Sequence, residues 1–271
     1  RLIVPVARFA EFEETVGGIL PREAAQAWRI SALLPPADSP TTRDLSGAFR
    51  EIEDFNLRHA SAELGFAHID TAEVRCSCLD SINGLAKLSP AGMITFVELA
   101  VNDNLESHLT CVAQHRERLH AKIRTGGITE DLIPPAESVA RFVKTCVDVG
   151  LPFKATAGLH HPVRARQALT YERNPDEAMM HGFLNLLMAT GGLLLGKLPL
   201  AEATTLLREV DPATIVVDEQ TGWHWEELTL DLNDVTQLRQ RGMLSFGSCS
   251  FIEPVEDLQA LGHTLSLTSS R

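Results

Sequence analysis

Basic charge is scarce in this chain. Its 24 lysines and arginines face 36 aspartates and glutamates, a formal net charge of -12 with histidine neutral. Nucleic acid and anionic membrane surfaces would repel such a chain at long range, which leaves a small molecule or another protein as the expected partner. Cysteine is also sparse: there are five, an odd number, and Cys76 and Cys78 are one residue apart rather than two. That spacing speaks against a disulfide framework and against a metal knuckle, and it points to a reducing, cytoplasmic location. Long apolar runs are missing too. The most apolar stretch, residues 179 to 196, carries His181, Asn185, Thr190 and several glycines, whereas a bilayer span needs ~20 mostly uninterrupted apolar residues. It reads as a buried helix, and no secretory signal is visible. No G-x-G-x-x-G, H-x-H, H-E-x-x-H or G-x-S-x-G occurs.

What is present is a rhythm. With 271 residues and 44% hydrophobic content, the chain suits one large core, read as a single domain over 1-271. Apolar, β-branched runs at 2-6, 28-34, 66-74, 93-101, 118-123, 152-156, 214-218 and 243-247 predict strands. Helical patterns lie between them at 44-60 (opening on an Asp44 cap), 79-88, 104-117, 137-149, 176-196, 199-209 and 232-241. This β-α alternation predicts the α/β class and a closed (β/α)8 TIM-like barrel. A doubly wound open sheet is the runner-up, but it lacks its glycine fingerprint. The Pro-rich segment 35-44 reads as a lid loop and 264-271 as a tail.

Side chains alternate across a strand, so each run can be sorted by face. In "RLHAKIR" the apolar set is Leu119, Ala121 and Ile123, leaving His120, Lys122 and Arg124 on the other side. The same rule turns Lys154 and Thr156 inward in "PFKATA" and Arg29 and Ser31 inward in "WRIS", and it sets Glu98 opposite Val97 and Leu99. Asp70 and Glu73 fall on opposite faces of the 66-74 run. Arg29, Glu98, His120, Lys122, Arg124 and Lys154 are therefore expected to converge near the carboxyl ends of neighbouring strands, where barrel enzymes hold their chemistry. Two lysines on adjacent strands suit a nucleophile. An amine attacks a carbonyl only when unprotonated, and a second cation nearby disfavours the ammonium form.

Three short motifs, "KIRTGG" from Lys122, "KATAGL" from Lys154 and "FGSCS" from Phe246, follow one another along the chain. In order and spacing they resemble class I deoxyribose-phosphate aldolases, Schiff-base enzymes on a (β/α)8 barrel with strands ending in K-T-S-T-G and K-A-[SA]-G-G and a late F-G-A-S-S phosphate turn. The resemblance implies Lys122 as the Schiff-base lysine, Lys154 as the lysine that tunes it, and Gly247 and Ser248 beside a phosphate. This chain departs from the pattern at Arg124, where a small residue is expected, and at "LHHP" (159-162). Residues 159 to 242 are also a far longer stretch than the family's single helix.

The expected activity is a carbon-carbon lyase that acts on a small carbonyl substrate, with a phosphate or carboxylate as an anionic handle, and that needs no cofactor or metal. Lys122, Lys154, Glu98, Asp70 and His160 are its candidate catalytic residues. Arg29, Arg124, Gly126, Gly127, Thr156, His161, Gly247 and Ser248 are the candidate binding residues: glycine turns expose N-H groups and a guanidinium grips an anion. The rivals are general acid/base chemistry on an enolisable acid, with a divalent metal between Glu98, Asp70 and the histidines, and a non-catalytic anion-binding protein. His181 is a further acid/base candidate. Cys249 reads as a small buried filler, and Trp223 to Trp225 as a bend over the core. A homo-oligomer is compatible with all of these.

Overall fold

The structure is a computed structural model that describes residues 1-37 and 42-262, with backbone alone at 42-44. The chain forms two compact units, Arg1–Ala100 with Ser107–Ala121, and Val101–Glu106 with Lys122–Arg271.

The first unit contains β1 (Leu2–Pro5), α1 (Phe9–Val16), β2 (Trp28–Leu33), α2 (Thr42–Arg58), β3 (Ala67–Arg75), α3 (Leu79–Leu88) and β4 (Ile94–Glu98). Next along the chain come α4 (Leu105–Gln114) and β5 (Leu119–Arg124). Strands β1 to β4 pair in parallel, each with its sequence neighbour. Helix α2 carries Leu45, Ala48, Phe49, Ile52 and Phe55 at helical spacing, and all five are buried. Helix α2 begins at Thr42, so Asp44 lies within it rather than at its cap. Helix α3 is capped by a reciprocal pair: the Cys78 sulfur accepts from Ser81 N–H, and the Ser81 hydroxyl accepts from Cys78 N–H. In β3 the register passes from Ile69 to Thr71 against Ile30 and Ser31, so Asp70 is bulged out of the ladder.

The second unit contains α5 (Ala136–Asp148), β6 (Phe153–Thr156), β7 (Ala165–Ala168), β8 (Glu177–Met180), α6 (Phe183–Leu194), α7 (Leu200–Arg208), β9 (Val216–Asp218), β10 (Gly222–Trp225), β11 (Leu228–Leu230), α8 (Leu232–Arg241), β12 (Met243–Gly247) and α9 (Glu253–Ala260). Its core is α6, buried from Phe183 to Leu193. Asn185, fully buried on this helix, accepts from Arg164 N–H at 2.9 Å and donates to Leu206 O at 2.8 Å and Glu209 O at 3.0 Å. A buried amide is tolerated there because its bonds are made.

The parallel sheet has the strand order β1-β2-β3-β4-β5-β6-β12. β1 and β12 end that order, so among the described residues the sheet is an open α/β sheet of seven strands and not the closed eight-stranded barrel expected from the sequence. Part of the reason lies in the turn after "TIVVD". The Asp218 carboxylate accepts from Gln220 N–H, Thr221 N–H and the Thr221 hydroxyl, which reverses the chain within a few residues. Such a tight reversal commits β9 to an antiparallel partner, β10, which pairs in turn with β11. Trp223 to Trp225 are thus strand residues and not a bend. The helix predicted over 176-196 divides as well. Its first residues form β8, antiparallel to β7, and α6 starts only after Gly182, where a Cβ would meet Arg164 N and Pro162 O at 2.6 Å. Among the described residues no helix is long and apolar enough to cross a membrane. Residues 38-41 of the expected lid and the expected tail 264-271 lie outside the described residues.

Candidate functional site

The two lysine strands meet in the second unit. Thr125 N–H donates to Thr156 O at 2.8 Å, a bond that in a parallel ladder sets Arg124 opposite Thr156. If the ladder runs without a bulge two residues further back, it sets Lys122 opposite Lys154, and opposite residues share a face of the sheet. Both side chains are buried, at 4% and 6% exposure, and both make polar interactions. Strand β12 lies on the other side of β6, with Ser245 opposite Lys154 and Gly247 opposite Thr156.

The carboxyl ends of β5 and β6 are locked together. The Thr125 hydroxyl donates to Thr156 O at 3.2 Å and to Ala157 O at 2.7 Å. Gly126 and Gly158 pack backbone on backbone, and a Cβ on Gly126 would lie 2.8 Å from Gly158 Cα. Ala157 (φ 64°) and Gly158 (φ 72°) are consecutive left-handed residues, and at the alanine this conformation is strained. Arg124 is exposed, and its Nε donates to Gly126 O at 3.0 Å. The space over Gly127 is filled by Leu132. The two glycines are accounted for first by close packing.

Beyond β6 the chain presents His160 and His161, each half-buried and each engaged by the segment after β12. His160 Nδ1 lies 3.0 Å from Ser248 Oγ and 3.3 Å from Glu253 Oε2. Cys249 Sγ lies 3.6 Å from His160 Nε2 and 3.7 Å from Nδ1. The Tyr171 hydroxyl, in the turn between β7 and β8, donates to Glu253 Oε2 at 2.8 Å and sits 3.5 Å from Cys249 Sγ. His161 Nδ1 is 2.5 Å from Asp257 Oδ2. Burial pushes His160 below the ordinary histidine value, the Glu253 carboxylate pulls it back up, and His161 adds to the depression. The thiol and carboxylate beside it push the Tyr171 phenol well above its usual value.

His160, Ser248, Gly247, Thr156, Lys154, Lys122, Arg124 and the glycine turn therefore belong to one set of strand ends. Arg29 does not have the carboxyl-end position expected of it, and it pairs with Asp70. Arg29 is the second residue of β2, and Asp70 sits at the bulge in the first half of β3, held by Arg1 at 2.8 Å and Arg29 at 3.0 Å. The bulge is what turned Asp70 toward those guanidiniums, which hold its carboxyl below the usual range against the opposing effect of burial. Asp70 also lines a cleft of about 560 Å³ beside α2 in the first unit. Glu98 closes β4, half-buried and opposite Arg75. His181 is buried, with Nε2 2.8 Å from Pro134 O. Among the described residues no group of three or more His, Cys, Asp and Glu side chains could hold a metal ion.

Four residues of the His160 cluster escaped sequence reasoning: Cys249, which is exposed rather than buried, and Tyr171, Glu253 and Asp257. One signal was available. In "SFIEP" a serine precedes a glutamate by three residues at a helix start, and the Ser250 hydroxyl accepts from Glu253 N–H at 3.1 Å, which orients the first turn of α9. No protein-family model, curated protein or solved structure matches the chain.

Proposed function

We propose that the second unit carries an amine site for a small carbonyl compound and works as a carbon-carbon lyase of the class I aldolase type. The observation behind this reading is that two buried lysines, Lys122 and Lys154, lie on the neighbouring strands β5 and β6, beside the strand that leads to the Ser248 turn. An amine in its unprotonated form is the group that adds to a carbonyl carbon. In the proposed reaction the Lys122 amine adds to the carbonyl carbon and water leaves. The resulting iminium accepts the electron pair when the bond between its α and β carbons breaks, and after the α carbon takes up a proton water hydrolyses the imine and frees Lys122. Lys154 stands beside it, and His160, whose proton affinity burial lowers, exchanges protons with the substrate hydroxyl. Arg124 at the end of β5 is the guanidinium for a phosphate or carboxylate handle.

The test is borohydride trapping with a panel of small aldehydes and keto acids, read by intact mass. The intact chain should gain one reducible adduct, Lys122→Met should lose it, and Lys154→Met should retain it with slower formation. Adducts that persist unchanged in both variants would end the paired-lysine reading.

A further inference from the structure

The cluster around Cys249 has a chemistry of its own, independent of the lysines. Cys249 lies two residues past Gly247, exposed, with its sulfur against the edge of the His160 ring. His160 Nδ1 has Ser248 Oγ at 3.0 Å and Glu253 Oε2 at 3.3 Å, and the Cys249 sulfur lies 3.6 Å from Nε2 and 3.7 Å from Nδ1. In the tautomer that turns the Nδ1 proton to the carboxylate, Nε2 is the nitrogen that can take the thiol proton. Nucleophile, base and a carboxylate beside the base are thus neighbours. The groups facing the thiol and imidazole are Tyr171, Ser248, Glu253 and His161, the last bound to Asp257. Tyr171 spends its proton on Glu253, so its oxygen faces the sulfur as a polar neighbour and not as a competing acid.

We propose that Cys249 is a reactive thiol site that takes low-molecular-weight disulfides, with His160 as its base and Glu253 as the positioning residue. The thiol proton passes to His160 Nε2, and the sulfur attacks one sulfur of the disulfide. The electron pair of the broken S–S bond leaves with the second sulfur, which collects the proton from His160. Cys249 ends as a mixed disulfide, oxidised at the expense of the half released as a thiol. The adduct stands at the carboxyl end of β12, and that strand pairs with β6 through Ser245 opposite Lys154 and Gly247 opposite Thr156. Modification therefore places a bulky group at the mouth of the strand ends, a means of closing them under oxidising conditions.

The protein supplies its own reference. Cys76, Cys111 and Cys146 are buried, whereas Cys78 is exposed and serves as the helix cap of α3, with no histidine in that cap. The experiment treats the intact chain with oxidised glutathione near neutral pH and follows both cysteine peptides by mass spectrometry over time. Cys249 should form its adduct at least about tenfold faster than Cys78. His160→Gln should slow Cys249 toward the Cys78 rate and leave Cys78 unchanged. Equal rates in the unaltered chain, or a Cys249 rate untouched by His160→Gln, would overturn the proposal. The comparison within the unaltered chain decides the matter even if the variant folds poorly.

Discussion

His181 shows how a single side chain can couple this fold to pH. It is 2% exposed, its Nε2 is 2.8 Å from Pro134 O, and its Nδ1 has no hydrogen-bond partner. Burial depresses its proton affinity, the Pro134 carbonyl opposes that shift, and the positive charge of Arg164 adds to the depression. The folded value thus lies below the unfolded one, so between the two the unfolded chain binds more protons. Stability is expected to be full above the ordinary histidine value of ~6.5, to fall as pH drops through it, and to level off below the folded value. His120 and His160 are shifted in the same direction, chiefly by burial, and contribute to the same window. Urea unfolding from about pH 7.5 to about pH 5 should show this decline, and His181→Gln, which keeps a donor for Pro134, should flatten it. An unchanged slope would mean that the imidazole finds a partner for its second proton. Sequence reasoning placed His181 in a buried stretch and listed it as an acid or base, but had no means of seeing that Pro134 O would be its partner, since the two are 47 residues apart.

Among the elements, the join between β5 and β6 is the most tightly specified. The glycines there were legible as a turn able to bind an anion, yet their packing shows a prior demand: Gly126 has Gly158 Cα, Gly158 N and Ala157 O around the place of a Cβ. All three are backbone atoms, which cannot swing away. Gly126→Ala should therefore cost about 2 kcal/mol or more by overpacking. Gly92 is the control. Unlike Gly126 it has a positive φ, of 83°, but nothing lies within 4 Å of its Cβ position, so Gly92→Ala should cost only the left-handed strain of about 1 kcal/mol. Urea midpoints of the two variants test the difference. Equal losses would mean that the strand ends separate easily, and would weaken the view that they hold Lys122 and Lys154 in register.

For the whole molecule, the net charge of -12 is the property with the longest reach. Duplex DNA and anionic vesicles should remain unbound even at about 50 mM salt, where attraction to a basic patch would be strong. A gel shift or vesicle sedimentation at that salt is the check, and retention would reveal a local basic face that the summed charge conceals.

Local rules carried the sequence a long way. β-branched alternation marked the strands that became β2, β4, β5, β6 and β12, and parity put the two lysines on one face of neighbouring strands, because both signals reside within a few consecutive residues. What tertiary structure alone decided was partnership. The Asp218 turn diverted a predicted barrel strand into a hairpin, the bulge at Asp70 took its carboxylate to Arg1 and Arg29, and the segment holding Cys249 and Glu253 met Tyr171 and His160 from at least 78 residues away along the chain. No periodicity records such meetings, since a side chain's chemistry depends on what the rest of the chain packs against it.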